Sequence, residues 1–152
     1  MAFLVLKLIH VLAAIAAAGA SMTYVIWRAR ARREPEVLPF VLRSISLIDQ
    51  RLANPCYATL LVTGLIMALT LSIPLMTRWL LTAMVLYVFA TLLGIFAYAP
   101  ATRQQRRLLE TAGVDSQSYK GLAQRSARLG ILVTIDLLFI VFLMVIKPAL
   151  WG

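Results

Sequence analysis

Histidine and cysteine occur once each in this chain, as His10 and Cys56, and six acidic residues stand against fifteen lysines and arginines. A lone cysteine excludes an intrachain disulfide, and with a lone histidine it leaves no cluster at metal-ligand spacing. The scattered methionines do not complete a copper site. All carboxylates except Asp136 lie between the apolar runs, so paired acid/base carboxylate chemistry inside such a run has no support. The formal charge of +9 is not accompanied by a binding motif or by interleaved aromatics, which argues against nucleic acid as a partner. Cys56 reads as a small buried hydrophobe.

What the chain has in quantity is apolar sequence: 62% hydrophobic residues over 152 positions and a mean hydropathy of +0.88. Soluble domains carry roughly 45–50% apolar residues. An apolar run of about 20 residues spans a hydrocarbon core of roughly 30 Å as a helix. Four such runs are expected, at about 3–27, 55–76, 79–100 and 129–148. The first ends in small residues, as a secretory signal does, but it has no basic leader and its basic cluster follows the apolar core, so it reads as a retained helix.

The arginines and lysines are not spread evenly. Arg28, Arg30, Arg32, Arg33, Arg43 and Arg51 fall between runs one and two, and Arg103, Arg106, Arg107, Lys120, Arg125 and Arg128 between runs three and four. The positive-inside rule then places the connections 28–54 and 101–128 in the cytoplasm and both termini outside. Tyr24, Trp27, Tyr57 and Tyr98 fall at inner ends, and Trp79 and Trp151 at outer ends, as interfacial belts would place them. The expected fold is an all-α, four-helix transmembrane bundle forming a single domain over 1–152. Basic cytoplasmic loops and small size suit a bacterial inner membrane, with the lipid bilayer as first partner and room for a homodimer or a larger membrane complex.

Within the first connection, apolar Val37, Val41, Ile45, Ile48 and Leu52 recur at helical spacing, so a short amphipathic helix along the membrane interface is expected. Asn54 followed by Pro55 reads as an N-cap with proline at the first helical position, starting helix two afresh. After run three, "TRQQRRLLETAG" reads as a cytoplasmic extension stopped near Gly113, with Asp115 or Ser116 capping a short basic helix that leads into helix four.

Stripes of small and polar residues mark protein-facing sides in membrane bundles. Lys7, His10, Ala14, Ala17 and Ser21 share one face of helix one; Thr59, Thr63, Met67 and Thr70 one of helix two; Met84, Tyr87, Thr91, Gly94 and Tyr98 one of helix three. Counting at 1.5 Å per residue puts His10 roughly 7 Å outward of its helix centre and Asp136 roughly 4 Å toward the cytoplasm, too far apart to pair directly. Thr63 and Thr91 are the expected hydrogen-bond partners of Asp136, and Met84, Thr70 and Met144 lie near the level of His10. Asp136 and Tyr87 join the candidate site residues on this basis, Asp136 either as a satisfied neutral group or as part of a proton or cation path. Lys7 lies close enough to the outer surface to snorkel.

The pattern Lys7-x-x-His10 in the first of four helices, followed by a glycine-containing small-residue stretch and a basic first loop, resembles a group of bacterial integral membrane proteins of unknown function. That group is similar in turn to the CopD-type copper-resistance membrane domain and to the HemJ-type protoporphyrinogen oxidases, whose first-helix signature has lysine and histidine at this spacing. The resemblance implies haem b, with His10 as the axial ligand and Lys7 as a propionate partner or proton carrier. This chain lacks a second histidine, so the sixth position would fall to Met84 or Met144, stay open, or be filled by His10 of a second copy. Three functions are therefore expected alternatives: a haem b protein serving electron transfer or an oxidase reaction; a non-catalytic structural or assembly subunit; and a small proton- or ion-coupled transporter component.

Overall fold

The computed structural model of the chain describes residues 1–148; the outer-belt position expected for Trp151 lies outside them. Four helical rods are long and apolar enough to cross a membrane: Ala2–Ala31, Pro35–Thr70, Arg78–Ala112 and Gln117–Ile146. Only 11–17% of the most apolar stretch of each rod is buried within the protein. The outward faces carry Leu4, Ile15, Val62, Phe89 and Ile135, among others, a surface suited to lipid and not to water.

Two of the rods are composite. The second begins with a 3₁₀ turn, Pro35–Val37, continues as α2 (Leu38–Ile48), widens into a π turn at Asp49–Ala53 and proceeds as α3 (Asn54–Thr70). The third runs as α4 (Arg78–Leu93), a π turn at Gly94–Tyr98, and α5 (Ala99–Ala112). The first and fourth rods are α1 (Ala2–Ala31) and α6 (Gln117–Ile146). Each π turn ends one residue before a proline inside the rod, with Asn54 ahead of Pro55 in one case and Ala99 ahead of Pro100 in the other. A proline ring clashes with the carbonyl four residues back and supplies no N–H. Widening the preceding turn by one residue makes room for the ring without breaking the rod.

This corrects the expected start of helix two. Asn54 has helical dihedrals, φ −61° and ψ −45°, so it is a mid-rod residue and not an N-cap. The π turn also alters which residues face inward. The buried stripe of α2 is Leu38, Val41, Leu42 and Ile45. An uninterrupted α-helix would place Leu52, seven residues on, beneath Ile45; the extra residue instead brings in Ala53, fully buried, and leaves Leu52 45% exposed. Val37 and Ile48 of the expected stripe are exposed as well.

The turn between the second and third rods is longer than expected. α3 ends at Thr70 and not near residue 76, because Ser72 adopts a left-handed φ of 50° and Pro74 cannot continue a helix. Thr77 closes the turn, its N–H and hydroxyl both donating to the Pro74 carbonyl at 2.8 and 2.6 Å. The expected stop at Gly113 is present, with φ 74°. The Ser116 cap is also present: its hydroxyl accepts the Tyr119 N–H at 3.2 Å. The segment after it is not a separate short helix; it is the first turns of α6.

The packing order determines where space is left. α1 packs on α3 and on α6, while α6 also packs on α4 and α5. α3 and α4 are consecutive in the chain, yet they are hardly in contact. At the end carrying the connections, α2 folds back on α1, and Ala20, Tyr24, Ala31, Leu38, Val41, Leu42, Ile45, Ala53 and Tyr119 form one buried cluster. At the opposite end the Lys147 ammonium stands 5.4 Å from the centre of the Trp79 ring, tying the end of α6 to the start of α4.

Candidate functional site: a tyrosine-lined cavity at Arg28

His10 is held in the seam between α1 and α3. Its Nδ1 lies 2.7 Å from the Thr63 hydroxyl, and that hydroxyl donates its own hydrogen to the Thr59 carbonyl at 2.6 Å. Thr63 is thereby left to accept, so the network assigns the His10 proton to Nδ1 and leaves Nε2 with its lone pair. Gly64 admits the ring: a Cβ there would stand 3.2 Å from His10 Cε1.

The other sequence candidates are dispersed. Lys7 is exposed one turn toward the N-terminus from His10. Met84 on α4 and Met144 on α6 are half-buried, and neither belongs to α3, whose Thr63 and Gly64 meet the His10 ring. Asp136 is buried, and its Oδ2 has no hydrogen-bond partner among the described residues. The expected partners of Asp136 are engaged elsewhere, Thr63 with His10 and Thr91 with the Tyr87 carbonyl at 2.8 Å. No group of three or more His, Cys, Asp or Glu side chains able to hold a metal occurs among the described residues.

Tyr87 is the one sequence candidate that lines the principal cavity, a space of about 570 Å³ left where α3 and α4 fail to close on each other. The Tyr87 hydroxyl bridges this cleft by donating to the Tyr57 carbonyl at 3.0 Å. Tyr24, Tyr57 and Tyr98 line the same space, together with Ser21, Arg28, Arg32 and Asp49. Much of the remaining wall is aliphatic, including Ala58, Leu61, Ala90 and Ile140. The stripe Tyr87, Thr91, Gly94 and Tyr98 on the third rod thus faces an opening and not a neighbouring helix.

Three side chains on other elements fix Arg28 in the wall. Its Nη1 donates to Ser126 Oγ at 3.2 Å and to Gln105 Oε1 at 3.5 Å, and its Nη2 donates to the Tyr98 hydroxyl at 3.3 Å. Behind the guanidinium, Ser126 donates to Gln105 Oε1, and Gln105 Nε2 donates to the Tyr119 hydroxyl at 3.4 Å. Ser126 is 0% and Gln105 3% exposed, so the support is a dry, mutually satisfied network joining α1, α5 and α6. Gly130 leaves room for Tyr98, whose Cε2 would lie 3.2 Å from a Cβ at that position. Ser21 and the Tyr57 hydroxyl are 3.0 Å apart across α1 and α3.

An integral membrane protein over almost the whole chain is also what the comparison with protein families returns: residues 4–148 match the description "Predicted integral membrane protein (DUF2269)". The chain belongs to the DUF2269 family. No curated protein and no solved structure matches it. For this DUF2269 member, the polar centre must therefore be read from its own side chains.

That centre was not visible as such in the sequence. Tyr24, Tyr57 and Tyr98 lie near the ends of the apolar runs, where tyrosines of an interfacial belt also lie, but Tyr57 and Tyr98 are mid-rod, Tyr24 is 7% exposed, and all three line the cavity. Arg28 was one arginine in a basic cluster. The signal that could have singled it out is the face of α1 itself: Ser21, Tyr24 and Arg28 continue the small-residue stripe at helical spacing.

Proposed function

We propose that this protein binds an amphiphile taken from the bilayer, received in the cleft between α3 and α4. The observation that carries the reading is a cavity of about 570 Å³ between α3 and α4, two consecutive helices that hardly touch, polar at the Arg28 end and aliphatic along much of its wall. Such walls suit a ligand with an apolar body and a polar head. By the positive-inside rule the Arg28 end faces the cytoplasm, with both termini outside and the bacterial inner membrane as the setting. Native mass spectrometry of the detergent-extracted protein, titrated with oleyl alcohol and with oleate, tests this. Saturable one-to-one binding, lost when Ala90→Trp fills the cleft, is expected; no saturable binding of either probe overturns the reading.

A second reading is favoured by the His10 geometry. With Nδ1–H directed at Thr63, Nε2 is the atom free to ligate iron, as haem-ligating histidines require. The likeness of Lys7-x-x-His10 to the CopD-type and HemJ-type pattern supports it. His10 would hold haem b, Lys7 would pair with a propionate, and Met84 or Met144 would supply the sixth position. The haem would supply one-electron chemistry for electron transfer or an oxidase reaction. An absorption spectrum of the protein from haem-replete cells decides: a Soret band abolished by His10→Ala supports the reading, and a colourless, iron-free preparation sinks it.

A further inference from the structure

We infer that the ligand of the α3/α4 cavity carries an anionic oxo-acid head, a carboxylate or a phosphate, which Arg28 binds; the inference rests on the amphiphile reading above. Every hydrogen-bond acceptor that positions Arg28 is neutral: Gln105, Ser126 and Tyr98. The ion pairs found among the described residues, Arg30 with Glu34 and Lys120 with Asp115, do not involve it. Its guanidinium is thus fixed in a cavity wall by a buried network that leaves its charge uncompensated at contact distance. Three of the five guanidinium N–H donors are engaged by these neutral groups, which leaves two on a rigidly held cation to donate to carboxylate or phosphate oxygens.

Two further groups bear on the head. Arg32, the C-cap of α1, lines the same cavity and adds a second positive charge to it. The buried Tyr24 hydroxyl, in the same wall, makes no close hydrogen bond among the described residues and interacts with the Asp49 carboxylate. Asp49 opposes them: it lines the cavity and feels the Arg28 charge, yet it forms no ion pair with it. With two cations against one carboxylate, the site retains a net positive charge, and an anion complements it. Asp49 weakens the field that attracts the head, which gives the inference a second, opposite-signed consequence.

The experiment is a binding series in detergent, read by native mass spectrometry, with oleate, dioleoyl phosphatidic acid, oleyl alcohol and oleylamine on the full chain. The wild type is expected to hold oleate or phosphatidic acid about tenfold more tightly than oleyl alcohol, the usual scale for one charge-assisted pair. Which of the two anions binds better tells a carboxylate head from a phosphate head. Arg28→Gln should bring the anionic and neutral probes to within about twofold, while Arg28→Lys keeps part of the preference. Asp49→Asn should tighten anion binding several-fold. Equal binding of oleate, phosphatidic acid and oleyl alcohol to the wild type, which needs no variant to fold, overturns the anionic head and leaves the amphiphile reading standing. Preference for oleylamine, or weaker anion binding in Asp49→Asn, also overturns it. Failure of all four probes brings down the amphiphile reading itself.

Discussion

At the scale of single residues, the His10–Thr63 hydrogen bond and the open space at Gly64 form one contact, because both concern the same ring. Interhelical hydrogen bonds in membrane proteins contribute about 0.6 kcal/mol on average and at most about 1.7, so His10→Ala should destabilise the bundle by about 1 kcal/mol. Gly64→Val places two further carbons where even a Cβ would stand 3.2 Å from His10 Cε1, and since backbone and ring cannot both stay in place it should cost more. In the double variant the penalties should not add: once the imidazole is gone, the valine occupies the vacated volume. Thermal unfolding of the four proteins in one detergent measures this. Strict additivity would show that the ring and the glycine are not in contact. The histidine was conspicuous in the sequence because it is the only one. Its partner was not, because Thr59, Thr63 and Thr70 share a helix face and no spacing rule distinguishes among them.

At the scale of elements, the two π turns account for most of what the apolar pattern left unread. Hydropathy sees Pro55 and Pro100 as boundaries, since proline most often starts or stops a helix. It does not register that one extra residue per turn lets a rod run through. The four apolar runs were legible because hydrocarbon thickness fixes their length. The continuity of α2 with α3 was not, and the inward face of α2 was misplaced accordingly, with Leu52 expected where Ala53 lies. If the ring of Pro55 is what requires the π turn at Asp49–Ala53, then deleting exposed Gln50 should turn it into an α turn without altering the register of α2 on α3. With Pro55 in place, that deletion restores the clash with the carbonyl of Arg51 and should cost about 3 kcal/mol. Combined with Pro55→Ala it should be close to neutral. Melting temperatures of the deletion with and without the proline test this, and equal losses in both would detach the π turn from the proline.

At the scale of the whole molecule, an open cleft between sequential rods makes sense only if the remaining contacts hold the bundle together. α6 does this by touching α1, α4 and α5, and the Arg28 network adds a polar clasp from α1 to α5 and α6 at the end where the connections lie. α3 and α4 are joined by the turn 71–77 and bridged by the Tyr87 hydroxyl on the Tyr57 carbonyl, while α2 meets α5 at the far end of the same rods, so the cleft is tied at both ends and has, among the described residues, one polar latch across its middle. Tyr87→Phe removes the latch and leaves the ring. The rods should then separate more often, and the aliphatic wall should meet lipid more often, with little effect on the contacts of α6. Cys56 offers a native reporter, since it is the only cysteine and precedes Tyr57 in α3. Maleimide labelling of Cys56 should accelerate several-fold in Tyr87→Phe relative to wild type, and the overall melting temperature should fall by no more than a lost neutral hydrogen bond explains, about 1 kcal/mol. Unchanged labelling would mean that the cleft is set by the packing of α1 and α6 alone, with no latch between the second and third rods.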